Sequence, residues 1–137
     1  GAGGGGCFDV VLCQLVLSVV GDRAHRLGVL RSAAGQVRGG GGGRVLVSAS
    51  GDSAALNPSY EALYAQDFPV THEHRTYVSR GARGEVLYVT HHFTAQELRT
   101  LLQQAGLRVE RVVEEEEASS RRPDEKALFL YATASKP

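Results

Sequence analysis

Two short apolar runs, joined by a segment long enough for one helix, constrain most strongly what this chain can fold into. The first run, FDVVLC, covers 8–13, and the second, RVLVSA, covers 44–49 and follows a glycine tract. A strand, a helix, a glycine turn and a second strand form a βαβ unit, which predicts a parallel sheet with helices on its faces. Ligands bind at the carboxyl ends of the strands in such sheets, here 13–15 and 48–52.

Helix signals occur at three places in the chain. Asp22 is a predicted N-cap for a first helix that runs to about Gln36. A second helix is predicted over 57–65, with a proline in its first turn and with 67–69 as its end. A third begins with a capping box over 94–97, in which the threonine hydroxyl and the glutamate side chain are expected to bind each other's backbone N–H groups.

The remaining elements are predicted to be strands. The β-prone runs 75–79 and 85–90 favour a hairpin. Two further strands are predicted over 107–113 and 127–132. The polar loop 118–126 between them leaves no room for a helix, so these last two strands should pair antiparallel.

Charge and cysteine content exclude several classes of partner. The 15 basic and 15 acidic residues balance, which gives no electrostatic reason to bind nucleic acid or an anionic membrane. The four glutamates of 114–117 are interpreted as a solvated strand end and turn. The apolar run 10–20 is too short to span a membrane. Cys7 and Cys13 form no CxxC pair, so a reducing, cytoplasmic compartment is favoured.

In order and spacing, four segments of the chain resemble one family of α/β enzymes. They read FDVVLCQLVLSVVGD, GGRVLVS, THHFTAQELRTLLQQAGLRVERV and ALFLYAT. This series resembles the C-terminal half of a Rossmann-like (class I) S-adenosylmethionine-dependent methyltransferase. The resemblance implies strands four to seven of that sheet, the last one antiparallel. The first three strands and the glycine-rich cofactor loop of the family have no counterpart here. The domain prediction is therefore a glycine-rich flexible start over 1–6 and a partial methyltransferase domain over 7–137, with 51–93 as a substrate-side insertion.

The resemblance and the chemistry of the side chains predict three groups of site residues. Those expected to contact the cofactor, at the end of the first strand, are Cys13, Gln14 and Leu15. Histidines suit proton transfer near neutral pH, and those predicted to be catalytic are His72, His74 and His91. Those predicted to bind the substrate are Tyr60, Tyr64, Tyr77 and His92. No metal is expected, because the histidines of HEH and HH have no cysteine partner nearby.

The resemblance implies methyl transfer from S-adenosylmethionine to a small-molecule acceptor, performed by a longer parent of which this chain is a piece. A nicotinamide-dependent Rossmann oxidoreductase and a non-catalytic binding or regulatory module of the same fold remain as alternatives. Without the family's first strands, 8–12 would be an exposed apolar edge, and self-association through it is expected. The isolated chain should bind S-adenosylmethionine weakly or not at all.

Overall fold

A four-stranded mixed sheet and a separate hairpin carry three helices in the computed structural model, which describes residues 6–119 and 124–137. The elements in chain order are β1 (Val10–Gln14), a short 3-10 helix (Leu17–Val19), α1 (Arg23–Gln36), β2 (Arg44–Ser50), α2 (Ser59–Thr71), β3 (Thr76–Arg80), β4 (Val86–His91), α3 (Ala95–Gln104), β5 (Arg108–Ala118) and β6 (Lys126–Ser135). The strand order is β1-β2-β6-β5, and β3 pairs with β4 alone.

The predicted βαβ unit is confirmed. β1 and β2 run parallel, with Leu12 opposite Leu46, and α1 connects them. The Asp22 side chain caps α1 by accepting a hydrogen bond of 2.9 Å from the His25 N–H. β6 lies between β2 and β5 and is antiparallel to both. The α/β fold class, the antiparallel last strand and the hairpin of β3 and β4 are therefore as predicted.

The core lies on one face of the sheet. Val45 and Val47 of β2 point to this face and are buried, as is Leu130 of β6. They belong to one cluster with buried residues of α1 and α3, including Leu30 and Leu101. Alternate side chains of a strand point to opposite faces, so the apolar inward set of each strand packs against the two helices.

The opposite face carries exposed apolar side chains. Val10 is 56% exposed, Leu12 64% and Leu46 36%. The continuous run Val45, Leu46, Val47 predicts a strand that is buried on both faces, and this prediction is wrong for the described residues. The physical reason is that α1 and α3 pack on the same face, which leaves Leu12 and Leu46 side by side on the other.

α2 continues through Asp67 and Pro69, where the sequence predicts its end. Asp67 is buried and does not break the helix, because its carboxylate accepts hydrogen bonds from the Val78 N–H at 2.8 Å and from Arg80 at 2.7 Å. These contacts fix the last turns of α2 against β3. The helix ends instead at Thr71, and His72, its C-cap, adopts a left-handed conformation with φ of 56°.

β5 is longer than predicted. Glu114, Glu115, Glu116 and Glu117 pair in register with 127–130 of β6, although their side chains are exposed. The sequence predicts a solvated strand end and turn at the glutamate run. Its side chains are solvated, but its backbone is a paired strand and not a turn. The hydrogen bonds to β6 hold the strand extended, and charged side chains protect the outer edge of the sheet. The predicted 1–6 start and 118–126 loop lie partly outside the described residues.

The capping box of α3 forms only in part. The Thr94 hydroxyl accepts from the Glu97 N–H at 3.1 Å, as predicted. The Glu97 carboxylate contacts His91 and Arg75 rather than completing the box. A charged partner binds a carboxylate more strongly than a neutral backbone N–H does, which explains the choice.

We predict that Asp67→Ala destabilises the chain by roughly 1–3 kcal/mol, because the buried Val78 N–H would lose its acceptor. Asp9→Ala is the matched control. Asp9 also pairs with an arginine, Arg38, but its side chain is 77% exposed, and exposed pairs contribute little. Urea unfolding of both variants measures the difference. Equal losses would show that burial of Asp67 does not determine its contribution.

Candidate functional site

A cavity of about 230 Å³ lies at the carboxyl ends of the parallel strands β1 and β2. We call it the central cavity. Its lining includes residues from both strand ends, from α2, from the hairpin and from the start of β6, among them Leu15, Ser18, Ser50, Tyr60, Thr90 and Phe129. This is where ligands bind in sheets of this kind.

The strand ends shape one side of the central cavity. Leu15 follows β1 with a left-handed φ of 57°, and its N–H donates to the Ser48 carbonyl at 3.0 Å. The chain then turns so that the Ser18 hydroxyl accepts from the Ser50 N–H at 2.8 Å. These two contacts hold the connection after β1 against the end of β2.

The segment after the hairpin is attached directly to the end of β2. The Phe93 N–H donates to the Ser50 carbonyl at 2.8 Å, and the Asp52 N–H donates to the Phe93 carbonyl at 2.9 Å. The His92 N–H in turn donates to the Arg75 carbonyl at 2.8 Å. His92 is thereby placed beside the cavity with little freedom.

Three tyrosines surround His92. The ring centroids of Tyr60, Tyr64 and Tyr77 lie 5.1, 5.6 and 5.4 Å from that of the imidazole, all in edge-to-face geometry. Such contacts stabilise aromatic pairs beyond the area that they bury. The Tyr64 hydroxyl also lies 2.5 Å from His92 Nδ1. We call these four residues the tyrosine–histidine cluster.

Burial fixes the protonation of this cluster. Burial, with a further contribution from His91, lowers the pKa of His92 to about 4. Burial and the nearby Asp52 carboxylate raise the pKa of Tyr64 above its usual range. At neutral pH the imidazole is therefore neutral and the phenol keeps its proton. The hydrogen bond between Tyr64 and Nδ1 therefore joins two neutral groups, and the tautomer of His92 decides which of them donates.

His91 lies in a different environment from its neighbour. Its Nδ1 is 2.8 Å from a Glu73 carboxylate oxygen and its Nε2 is 2.7 Å from one of Glu97. Arg26, only 1% exposed, donates to the same Glu73 oxygen at 2.7 Å, and Arg75 pairs with Glu97 at 3.3 Å. We call these five residues the His91 cluster. It joins α1, the β3 entry, β4 and α3 through buried or half-buried charges.

The predicted site residues are divided between these places. Tyr60, Tyr77, His92 and Leu15 line the central cavity. Tyr64 contacts His92, and His91 belongs to the other cluster. His72 and His74 are exposed, with His74 stacked on Phe68. Cys13 is buried in the core and Gln14 is exposed, both within β1 rather than after it. Their functional roles stay predictions.

Sequence reasoning missed the charged partners of His91 and the hydroxyl groups of the cavity. Arg26, Glu73 and Glu97 are far apart in sequence, and no spacing signals their contact. The alternation of the hairpin could have indicated Ser79 and Thr90, which lie on one face and share a hydrogen bond of 2.7 Å.

Two kinds of site are absent from the described residues. None of their helices combines the length and apolar character needed to cross a bilayer. No group of three or more histidine, cysteine, aspartate or glutamate side chains among them could hold a metal ion.

Comparison with known proteins gives matches among solved structures. No protein-family model matches the sequence, and no curated protein matches it significantly. A structure of S-adenosylmethionine-dependent methyltransferases from Methanosarcina mazei matches with a TM-score of 0.85 and 25% identity, over 96% of this chain and 60% of that chain.

Two more distant structures share the fold. A putative S-adenosylmethionine-dependent methyltransferase from Listeria monocytogenes has a TM-score of 0.63 and 18% identity, covering 97% of this chain and 63% of that one. One from Clostridium acetobutylicum has a TM-score of 0.60 and 13% identity, covering 96% and 59%. The chain thus spans about 60% of the length of these proteins. The predicted resemblance to class I methyltransferases is confirmed at the level of the fold.

We predict that the stability of the chain falls as the pH drops from about 6.5 toward 4. In this window the unfolded chain binds a proton at residue 92 and the folded chain, with the pKa of His92 at about 4, does not. The loss of stability is on the order of 3 kcal/mol. This part of the stability is fully present above the pKa that the histidine has in the unfolded chain.

The test is urea unfolding between pH 7 and pH 4.5 for the parent chain and His92→Phe. The variant keeps a buried ring and should lose most of this pH dependence. His74→Phe, at an exposed histidine, is the control and should behave as the parent does. Parallel pH profiles for the parent chain and His92→Phe would contradict the prediction.

Proposed function

Because this chain has the fold of class I S-adenosylmethionine-dependent methyltransferases, we propose that it is the acceptor-binding part of such an enzyme, acting on a small molecule. The observation that supports this most directly is the position of the central cavity. It lies at the carboxyl ends of β1 and β2 and is covered by α2 and the hairpin, both within the 51–93 segment. A covered cavity at this edge can exclude water and hold an acceptor in one orientation.

The residues at the end of β1 are suited to one side of a cofactor site. S-adenosylmethionine supplies, when bound, a methyl group on a sulfonium that a nucleophile can displace. Gln14 and Leu15 are exposed at the strand end, and we propose that they contact this cofactor. Cys13 is only 7% exposed and packs in the core, so its contribution would be to support the strand end from beneath.

The cavity residues would bind and orient the acceptor. In the proposed reaction an oxygen or nitrogen of the acceptor forms a bond to the methyl carbon while the carbon–sulfur bond breaks, and the acceptor proton leaves to solvent. Tyr60, Tyr77 and His92 are proposed to hold the acceptor. Alignment of the two reacting atoms accounts for a large part of catalysis in such transfers.

The proposed piece would belong to a longer protein. Val10, Leu12 and Leu46 leave an apolar strand edge and sheet face open among the described residues. Such a surface favours pairing with another strand, within a longer chain or between copies. We propose both a longer parent and self-association of the isolated chain through β1.

We predict that the 137-residue chain does not bind S-adenosylmethionine with low-micromolar affinity, whereas the protein from the full coding sequence does. A cofactor site that lacks two or three hydrogen bonds, at about 1–3 kcal/mol each, loses several orders of magnitude in affinity. Calorimetry measures both, with Leu12→Lys as a more soluble version of the chain. If the full protein binds a nicotinamide cofactor and not S-adenosylmethionine, the proposed function is wrong.

A second prediction concerns how strongly each of the three predicted catalytic histidines affects turnover. In the full protein His91→Ala should lower turnover most, because His91 fixes the 51–93 segment to α1 and α3. His72→Ala and His74→Ala, at exposed positions, should also lower turnover, but by less. Cofactor affinity should stay nearly unchanged in all three. Equal, large losses of turnover in the three variants would instead support a direct role for each histidine.

A further inference from the structure

The described lining of the central cavity offers aromatic rings and hydroxyl groups. Its aromatic lining comprises Tyr60, Tyr77, Tyr88 and Phe129, and serine and threonine hydroxyls lie between them. Among the described residues that line it, none is aspartate, glutamate, lysine or arginine. An ionised ligand would leave water here without a counter-charge, which is costly.

The tyrosine–histidine cluster gives the cavity a directed donor. Tyr64 occupies Nδ1 of His92, a side chain that lines the cavity. With the Tyr64 hydroxyl as the donor of this bond, the ring proton lies on Nε2. A neutral imidazole in this tautomer donates one hydrogen bond and cannot take up a proton at Nε2. The ligand that satisfies it must carry an acceptor atom such as oxygen.

Size and shape restrict the ligand further. The cavity volume of about 230 Å³ is below the roughly 300–1,000 Å³ of pockets that take drug-sized ligands. One or two rings therefore fill it. The rings of Tyr60 and Tyr77 lie 6.2 Å apart and tilted, so a planar ligand beside them can make edge or offset contacts.

We propose that the central cavity binds an uncharged aromatic molecule of one or two rings, whose oxygen accepts a hydrogen bond from His92 Nε2. The proposal gives the chemical class of the methyl acceptor. It rests on the proposed function only where it identifies this ligand with the acceptor. Tyr64 is a positioning residue in this site, since it acts by fixing the tautomer of His92. The Asp52 carboxylate does not line the cavity, but it interacts electrostatically with Tyr64 and His92. Because this carboxylate could attract a cation, a cationic ligand is the strictest test of the proposal.

The test compares four probes of similar size on the unchanged chain, without S-adenosylmethionine. They are 4-propylphenol, the anion 4-hydroxyphenylacetate, the cation tyramine and the non-aromatic 4-propylcyclohexanol. Binding is followed by amide chemical shifts. We expect 4-propylphenol to bind at least ten-fold more tightly than either ion and several-fold more tightly than the cyclohexanol, with shifts at Tyr60, Tyr77 and His92.

Two variants test the donor. His92→Phe keeps a ring but removes Nε2–H, and should weaken binding of 4-propylphenol about ten-fold. His25→Phe, at a histidine whose side chain is 79% exposed, should leave it unchanged. A nitrogen-15 spectrum of the imidazoles should show His92 protonated at Nε2 in the parent chain and a mixture of tautomers in Tyr64→Phe. This spectrum reports the tautomer directly, which a purely structural role of Tyr64 would not change.

The outcomes separate this inference from the proposed function. If either ion binds as tightly as 4-propylphenol, or if no probe binds, the inference is overturned whatever the full protein catalyses. If 4-propylphenol binds as expected but the full protein transfers no methyl group, the site stands and the proposed function fails.

Discussion

The contacts of His91 with two carboxylates are the interaction on which the site depends. Glu73 belongs to the segment between α2 and β3, Glu97 to α3, and Arg26 of α1 completes the buried set at 2.7 Å from Glu73. The Thr76 hydroxyl also lies 2.7 Å from His91 Nδ1. The Arg26 side chain is 1% exposed, so loss of Glu73 would leave the guanidinium buried without its counter-charge. This cluster therefore holds the 51–93 segment over the sheet in one position.

The consequence for the central cavity comes from the geometry of an extended chain. His91 and His92 are neighbours, and successive side chains of an extended segment point in opposite directions. The contacts that bury His91 among charges accordingly direct His92 to the three tyrosines. One histidine is surrounded by ionised partners and the other by aromatic rings. These two adjacent histidines therefore lie in different chemical environments.

The two faces of the sheet also differ in what covers them. α1 and α3 cover one face, and the apolar side chains of Leu12 and Leu46 remain exposed on the other. Large apolar surfaces of this kind are interaction sites in most proteins. The chain spans about 60% of the solved structures that share its fold. The open face and the open edge at β1 are the surfaces through which our proposed longer parent would continue the fold.

The sequence by itself determined the elements whose signals are local. The βαβ unit follows from two apolar runs around an amphipathic segment, the start of α3 from Thr94, and the antiparallel last pair from a short loop. Tertiary structure decided the features that depend on contacts between residues distant in sequence. α2 runs past Asp67 because Val78 and Arg80 bind its carboxylate, and β5 keeps its glutamates extended because β6 pairs with them. The different surroundings of His91 and His92 also arise only in the folded chain, since the carboxylates beside His91 and the tyrosine rings beside His92 come from other parts of the sequence.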